Sequence, residues 1–292
     1  MIMKPLNQYI QEKLIINKDY IDNTIVVKSF DELRKIIDDR YDKLGPGTKQ
    51  NPIDFNDIDV SHISSFYDKN KKMGIFEVTK FKYIDISYWD VSNVTDMSNM
   101  FFLCTKLEYA GDISGWDVSN VTDMWYMFFN CKYFNQDISS WDVSSVTNMR
   151  AMFNNCSSFN QDLYSWDVSS VTDMCGVFDG CRSFNKDISS WYVSNVKNMS
   201  YMFNNCKSFN QDISKWNVSK VTNMSHMFEC CESFNQDLSD WNVSKVKNMT
   251  HMFYKCKKFN KDISGWNVSK VNNKIDIFEY CPIKEEYKPK FK

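Results

Sequence analysis

Cysteines, histidines and a column of aspartates are the residues of this 292-residue chain with the most chemistry to offer. Eight of its ten cysteines, Cys104, Cys131, Cys156, Cys181, Cys206, Cys231, Cys256 and Cys281, follow one another at a step of 25 after a first step of 27. Zinc sites want close pairs such as C-x-x-C with histidine partners. A step of 25 instead fits one small buried thiol per unit, with disulfides between neighbouring units and a metal as alternatives. Cys175 and Cys230 lie off the column and read as exposed, oxidisable thiols. Asp85, Asp112, Asp137, Asp162, Asp187, Asp212, Asp237 and Asp262 form an acidic column. Like charges this close repel, so each is expected to accept backbone N–H groups in a turn. Calcium between units is the alternative. His226 and His251 occupy equivalent positions one unit apart, and His62 stands upstream. No Ser/His/Asp order, phosphate-binding glycine loop or H-x-x-x-H pair appears. Catalysis needs one special constellation, whereas this chain offers uniform columns. The expectation is a protein that is not an enzyme and uses no cofactor and no metal.

These columns belong to a repeat. Trp89, Trp116, Trp141, Trp166, Trp191, Trp216, Trp241 and Trp266 keep the same spacing, each fifteen residues ahead of a column cysteine. A fixed period over eight units predicts a solenoid. One unit runs from Asn135 to Phe159. In it Ile138, Trp141 and Val143 match the strand spacing of a leucine-rich repeat. Val146, Met149, Met152, Phe153 and Cys156 fall at steps of three and four, one face of a short helix with Thr147 as N-cap. The fold class expected is α/β, an LRR-like solenoid of about eight strand-plus-short-helix repeats with an N-terminal strand–helix cap. An all-β solenoid is the alternative. The tryptophans read as core, each indole N–H needing a partner, ahead of a stacking platform for sugars or bases. The asparagine column from Asn135 to Asn260 and the serine column from Ser92 to Ser269 read as turn devices.

The string D-I-S-x-W-D-V-S-x-V-T-x-M-x-x-M-F-x-x-C-x-x-F-N-Q resembles the BspA-like surface-protein repeat, the type also found in mycoplasma lipoproteins, from about Asp85 to Cys281. The resemblance implies a cell-surface or secreted protein, with adhesion suggested for some members.

Four segments are expected. Residues 1–22 form a leader in which Leu6, Tyr9, Ile10 and Leu14 share a helix face, either a small packing helix or a docking peptide. Residues 23–84 form an N-terminal cap with a degenerate first repeat, Asp57 to Ile63. Within it Thr24 to Lys28 read as a strand and Ser29-x-x-Glu32 as a capping box. Phe30, Leu33, Ile36, Ile37 and Leu44 then make a helical stripe that stops at Gly45. A solenoid end exposes its core unless another element covers it. Residues 85–283 are the repeat array, and 284–292 a polar, solvated tail.

Only four of the 35 basic residues are arginine, which speaks against nucleic acid. No stretch approaches 18 apolar residues, so no membrane insertion is expected. The opening residues lack the apolar core and cleavage site of a secretory signal. The formal charge of −2 hides a polarity. Residues 85–185 carry 4 basic and 13 acidic groups, a net −9, while residues 186–292 carry 17 and 11, a net +6.

A leucine-rich coil binds along its open sheet, which here means the residues flanking each tryptophan. The candidate face is Tyr88, Asp90, Asp117, Asp142, Asp167, Tyr192, Lys215, Asn217, Asp240 and Asn242, with a basic stripe at Lys220, Lys245 and Lys270. The expected role is an interaction or adhesion module for a protein or glycan partner, steered by the charge polarity. The alternative is a structural component of an intracellular, phage-encoded or particle assembly. Opposite charged ends also suit head-to-tail self-association.

Overall fold

No proline interrupts residues 85–281, so every residue there brings a backbone N–H that needs a partner. In the computed structural model, which describes residues 24–291, those N–H groups divide between two destinations. The N–H groups of Met149, Ala151, Phe153 and Asn155 donate to the carbonyls of Asp173, Cys175, Val177 and Asp179, one unit on, at 3.4, 2.8, 3.0 and 2.6 Å. Those of Met152, Asn154 and Cys156 close turns on the residue three before, at 3.1, 3.2 and 2.9 Å. Alternate positions therefore tie units together, and the positions between them shape each unit.

Alternation of this kind needs a backbone that reverses hand. Ala151 and Asn155 have φ of 51° and 59°, and the equivalent residues of the other units from Asn99 to Tyr280 are also left-handed. This corrects the expected helix. Val146 to Cys156 contain turns and a single parallel bridge at Asn148. An α-helix would direct every N–H back four residues within the unit, whereas here half of them leave it. Apolar residues at steps of three and four arise equally from chained turns. Thr147 caps no helix; its N–H and hydroxyl both donate to Thr122 O, at 2.9 and 3.2 Å. The expected strand is also turned, since Trp141 N–H bonds to Ile138 O at 3.2 Å and Val146 N–H to Val143 O at 2.9 Å. Parallel bridges link Ser65, Asp96, Asp123, Asn148, Asp173, Asn198, Asn223, Asn248 and Asn273 in series.

Ile138, Trp141, Val143, Val146, Met149, Met152, Phe153, Cys156 and Phe159 are buried, and so are their equivalents in neighbouring units. Equivalent rings lie face to face: Phe153 and Phe178 at 5.9 Å and 5°, Phe159 and Phe184 at 6.0 Å and 14°.

Ahead of the array come β1 (Ile25–Val26), α1 (Phe30–Leu44), β2 (Ile53–Asp54), β3 (Ile58–Asp59), β4 (Tyr67–Asp68), β5 (Met73–Gly74) and β6 (Ile84–Asp85). β1 pairs parallel with β3 and β2 with β6, while β4 and β5 pair antiparallel. α1 begins where the capping box was expected. Ser29 Oγ accepts from Glu32 N–H at 3.2 Å, and Glu32 Oε2 accepts from Lys28 N–H at 2.8 Å. It ends at Gly45, whose φ of 75° suits a residue without Cβ. Leu33 and Ile37 are buried in the common core, and Tyr41 packs edge-on to Phe81 at 5.1 Å. The degenerate unit repeats the array's turns: Ile63 N–H bonds to Val60 O at 2.8 Å, as Val94 N–H does to Val91 O at 2.9 Å.

The polar tail exposes Lys284, Glu285, Glu286 and Lys290 but packs its apolar residues down. Ile283 and Pro289 are buried, Phe291 packs against the core, and Ile263 N–H reaches Tyr287 O at 3.0 Å. Its Tyr287 and Phe291 continue at steps of four from Ile283, the last residue of the array, so a polar composition conceals one apolar edge. The expected leader, residues 1–22, lies outside the described residues. Among the described residues no helix is long and apolar enough to cross a membrane.

Candidate functional site

Each constant column has a structural partner. The indole N–H of Trp166 donates to Ile138 O at 3.1 Å, that of Trp191 to Leu163 O at 2.9 Å and that of Trp216 to Ile188 O at 3.2 Å. All eight column tryptophans are 3–6% exposed, which leaves no stacking platform there. The thiols of Cys156, Cys181 and Cys206 donate to Phe128, Phe153 and Phe178 carbonyls at 2.9, 3.0 and 2.9 Å. All ten cysteines are free thiols, and burial pushes those of Cys156, Cys181 and Cys206 well above the ordinary thiol range.

The acidic column is a row of Asx turns. Asp137 Oδ1 accepts Ser139 N–H at 2.9 Å, and that backbone bond leads the effects holding its carboxyl below the usual range. Two further turns of this kind fall in the same unit, Asp142 with Ser144 at 3.0 Å and Asn148 with Arg150 at 3.0 Å. Asparagine side chains link units, as when Asn135 Oδ1 accepts Asn160 N–H at 2.8 Å.

The tryptophan-flanking candidates Tyr88, Asp90, Asp117, Asp142, Asp167, Tyr192, Lys215, Asn217, Asp240 and Asn242 are all exposed, as are Lys220, Lys245 and Lys270. The row they form is built of turns, however, with no sheet beneath it among the described residues. Asp90, Asp117, Asp142, Asp167, Asn217 and Asn242 each hold the N–H of the serine two residues on. The Asp-to-Asn change along the row keeps that acceptor, so it reads as interchange of turn formers. Tyr88 and Tyr192 stand 54% and 61% exposed. Lys220 Nζ donates to Asn195 Oδ1 at 2.8 Å.

Residue type also varies in the columns over the left-handed turns. The equivalents of Ala151 run Asn99, Tyr126, Ala151, Gly176, Tyr201, His226, His251 and Asp276. Those of Asn154 run Phe102, Phe129, Asn154, Asp179, Asn204, Glu229, Tyr254 and Glu279. Three zones follow along this face. Toward the N-terminus, half-buried Phe102, Trp125, Tyr126 and Phe129 cluster, with centroids 4.9 Å apart for Phe102 and Phe129 and 4.8 Å for Trp125 and Tyr126. Trp125 is the ninth tryptophan, outside the column, and its buried Nε1 has no hydrogen-bond partner; nor has Asn99 Oδ1. In the middle, Ala151, Gly176 and Gly180 leave the face without large side chains. There Asp179 sits between Asn154 Nδ2 at 3.0 Å and Asn204 Nδ2 at 2.9 Å, and burial pushes its carboxyl up to about 6. Toward the C-terminus come Tyr201, His226, Glu229, His251 and Tyr254. Tyr201 stacks on His226 at 4.3 Å and 7°, and His226 Nδ1 lies 2.5 Å from Glu229 Oε2.

The sequence carried a signal for this face. It lay in the columns of Ala151 and Asn154, whose residue type changes from unit to unit.

Near-identical units, hydrogen-bonded one to the next, define a tandem-repeat protein. A family model described as a Mycoplasma protein of unknown function, DUF285, matches residues 70–191 and again 172–288, and the chain belongs to that family. No curated protein matches the chain.

Proposed function

We propose that the units wind into one continuous solenoid and that the chain is a noncatalytic interaction protein, binding its partner across the left-handed turn face. The observation that carries this reading is what occupies the left-handed positions. Glycine is the residue such backbone favours, since other side chains cost about 1 kcal/mol or more each. Tyr126, Tyr201, His226, Cys230, His251 and Lys255 nevertheless stand there. Side chains retained against a backbone cost, differing from unit to unit and at least partly exposed, suit recognition. The half-buried aromatic cluster at Trp125 and Tyr126 is the anchor, in keeping with the aromatic enrichment of interface cores. A glycan or protein partner and display at the cell surface agree with the resemblance to BspA-like repeats.

The test is a panel of cell-surface glycans and extracellular proteins, titrated against the purified chain. Trp125→Ala is expected to weaken the strongest hit at least tenfold, while Tyr192→Ala and Lys220→Glu leave it unchanged. The opposite pattern would move recognition to the tryptophan-flanking row.

One observation favours self-assembly as a second reading. The N–H groups of Asp276, Phe278 and Tyr280, equivalents of Ala151, Phe153 and Asn155, make no onward bond among the described residues. Beside them Ile275 and Tyr280 are 63% and 67% exposed. An open edge of this sort pairs with other chains unless covered. Sedimentation at low and high salt distinguishes a monomer from salt-sensitive filaments joined through the charge polarity.

A further inference from the structure

We propose that His226, Glu229 and His251 form a binding site for one divalent transition-metal ion, with zinc the best match. One ligand atom from each residue lies within 4.8 Å of the other two. Tetrahedral zinc with bonds of 2.0–2.1 Å sets its ligand atoms about 3.4 Å apart. Small side-chain rotations close that difference. Two imidazoles and one carboxylate form a donor set of intermediate softness, which suits zinc and its neighbours; calcium and magnesium take oxygen-only sets.

The fold brings these residues together by a route that sequence spacing hides. His226 and His251 are equivalent residues of consecutive units, each held left-handed with φ of 59° and 56°. His226 N–H donates to Thr250 O at 2.8 Å, which locks the two units in register at this point. Glu229 lies three residues beyond His226 across one turn, its N–H on His226 O at 3.3 Å. Aromatic rings hold both imidazoles. Tyr201 stacks on His226, His226 meets His251 edge-on at 4.9 Å and 75°, and Tyr254 lies 5.0 Å from His251. Asp276 places a further carboxylate 3.5 Å from His251 Nε2.

Ordinary surface ion pairs, His226 with Glu229 and His251 with Asp276, contribute little and do not call for the two imidazoles to converge. A second histidine, one unit on and against the same carboxylate, is what a metal site requires. Three protein ligands leave a fourth position for water or for a group from a bound partner. Because the ligands come from two units, the ion joins them, and binding adds to stability. The site lies on the proposed recognition face but rests on that reading in no other way, since metal binding is read on the purified chain without a partner.

The experiment uses the full chain with Cys175→Ser, Cys230→Ser and Cys281→Ser, so that no half-buried thiol competes for metal. Calorimetric titration with Zn²⁺ is expected to give one equivalent with micromolar or tighter affinity, and Co²⁺ to give a visible absorption band of a nitrogen- and oxygen-ligated ion. His226→Asn and His251→Asn are each expected to weaken Zn²⁺ at least tenfold; asparagine tolerates left-handed backbone, and circular dichroism reads the fold in parallel. Glu229→Gln, which leaves the backbone positions alone, is expected to weaken it similarly. Absence of saturable one-equivalent binding overturns the proposal. So does affinity that survives both histidine substitutions, because the metal is then held elsewhere.

Discussion

The inner columns and the outer turn face share one backbone and obey opposite rules. Inward, one residue type recurs because each side chain has a partner in the preceding unit: Trp191 N–H on Leu163 O, Cys206 Sγ on Phe178 O. Outward, equivalent positions hold Tyr126, Ala151, Gly176, Tyr201, His226 and His251, and only the glycine is at ease with the left-handed backbone. Sameness is what stacking demands of a buried side chain. Difference, where the backbone would prefer glycine, is the observation on which the proposed binding face rests.

The sharpest test of that contrast is thiol chemistry. Column thiols such as Cys156 and Cys206 are buried and hydrogen-bonded, whereas Cys175 and Cys230 are half-buried on the outer face. In labelling with a neutral disulfide reagent, Cys175 and Cys230 are expected to react first. Cys281, half-buried and with its thiol pushed up to about 11 by burial, should follow. The other seven are expected to react only through unfolding, slowed at least about a thousandfold for a domain of ordinary stability. Fast labelling of Cys156 in the native chain would break the distinction between the regions.

Next in size is the tryptophan column. Trp191→Ala is expected to cost about 3–5 kcal/mol in urea denaturation, as for other large core truncations. Trp191→Phe keeps an aromatic ring but leaves Leu163 O without its indole donor, for about 1–3 kcal/mol. Tyr192→Ala, one residue on and exposed, should stay within about 0.5 kcal/mol. Equal costs for Trp191→Ala and Tyr192→Ala would refute the assignment of inside and outside.

Asp179 sharpens the comparison because it is the outer-face position where burial opposes charge. Its folded-state value of about 6 exceeds its ordinary 3.8. The native state therefore holds the proton more tightly than the unfolded chain does, and stability falls as pH rises from about 4 to about 6. Asp179→Asn removes that titration and matches the asparagines at 154 and 204. It is expected to stabilise the chain by about 1–2 kcal/mol at pH 8 and by nothing, or slightly less than nothing, at pH 4, since one of two accepted hydrogen bonds is lost. Thermal denaturation at the two pH values reads this directly. A variant that melts lower at pH 8 would show that the carboxylate is better accommodated than its burial implies.

How far the sequence foretold these regions follows from the physics of each. The period of 25 is visible in tryptophan and cysteine alone, and the capping box at Ser29 and Glu32 is a local signal needing no tertiary context. The interior of the unit was harder. Steps of three and four at Met149, Met152, Phe153 and Cys156 suit a helix and a chain of turns alike. What separates the two is the destination of the Ala151 and Asn155 N–H groups, which a neighbouring unit decides. The histidine cluster was hidden for the same reason. Residues 226, 229 and 251 resemble no metal motif until the stacking of units sets 226 beside 251. The leucine-rich analogy placed the candidate face beside the tryptophans, where Asp142 and its equivalents form Asx turns.

Those turn formers give the smallest effect and the finest discrimination. Asp142 Oδ1 accepts Ser144 N–H at 3.0 Å, and the bonds to Ser144 hold its carboxyl below the usual range. If the row is structural, the acceptor oxygen matters and the charge does not. Asp142→Asn keeps the acceptor and should change stability by less than about 0.5 kcal/mol, as the natural Asn217 and Asn242 indicate. Asp142→Ala removes it and should cost about 1 kcal/mol, since the exposed Ser144 N–H regains water as a partner. Binding of the partner found on the turn face should be the same for both variants. If Asp142→Asn weakened binding while leaving stability intact, the negative charge itself would be recognised, and the row beside the tryptophans would share in recognition after all.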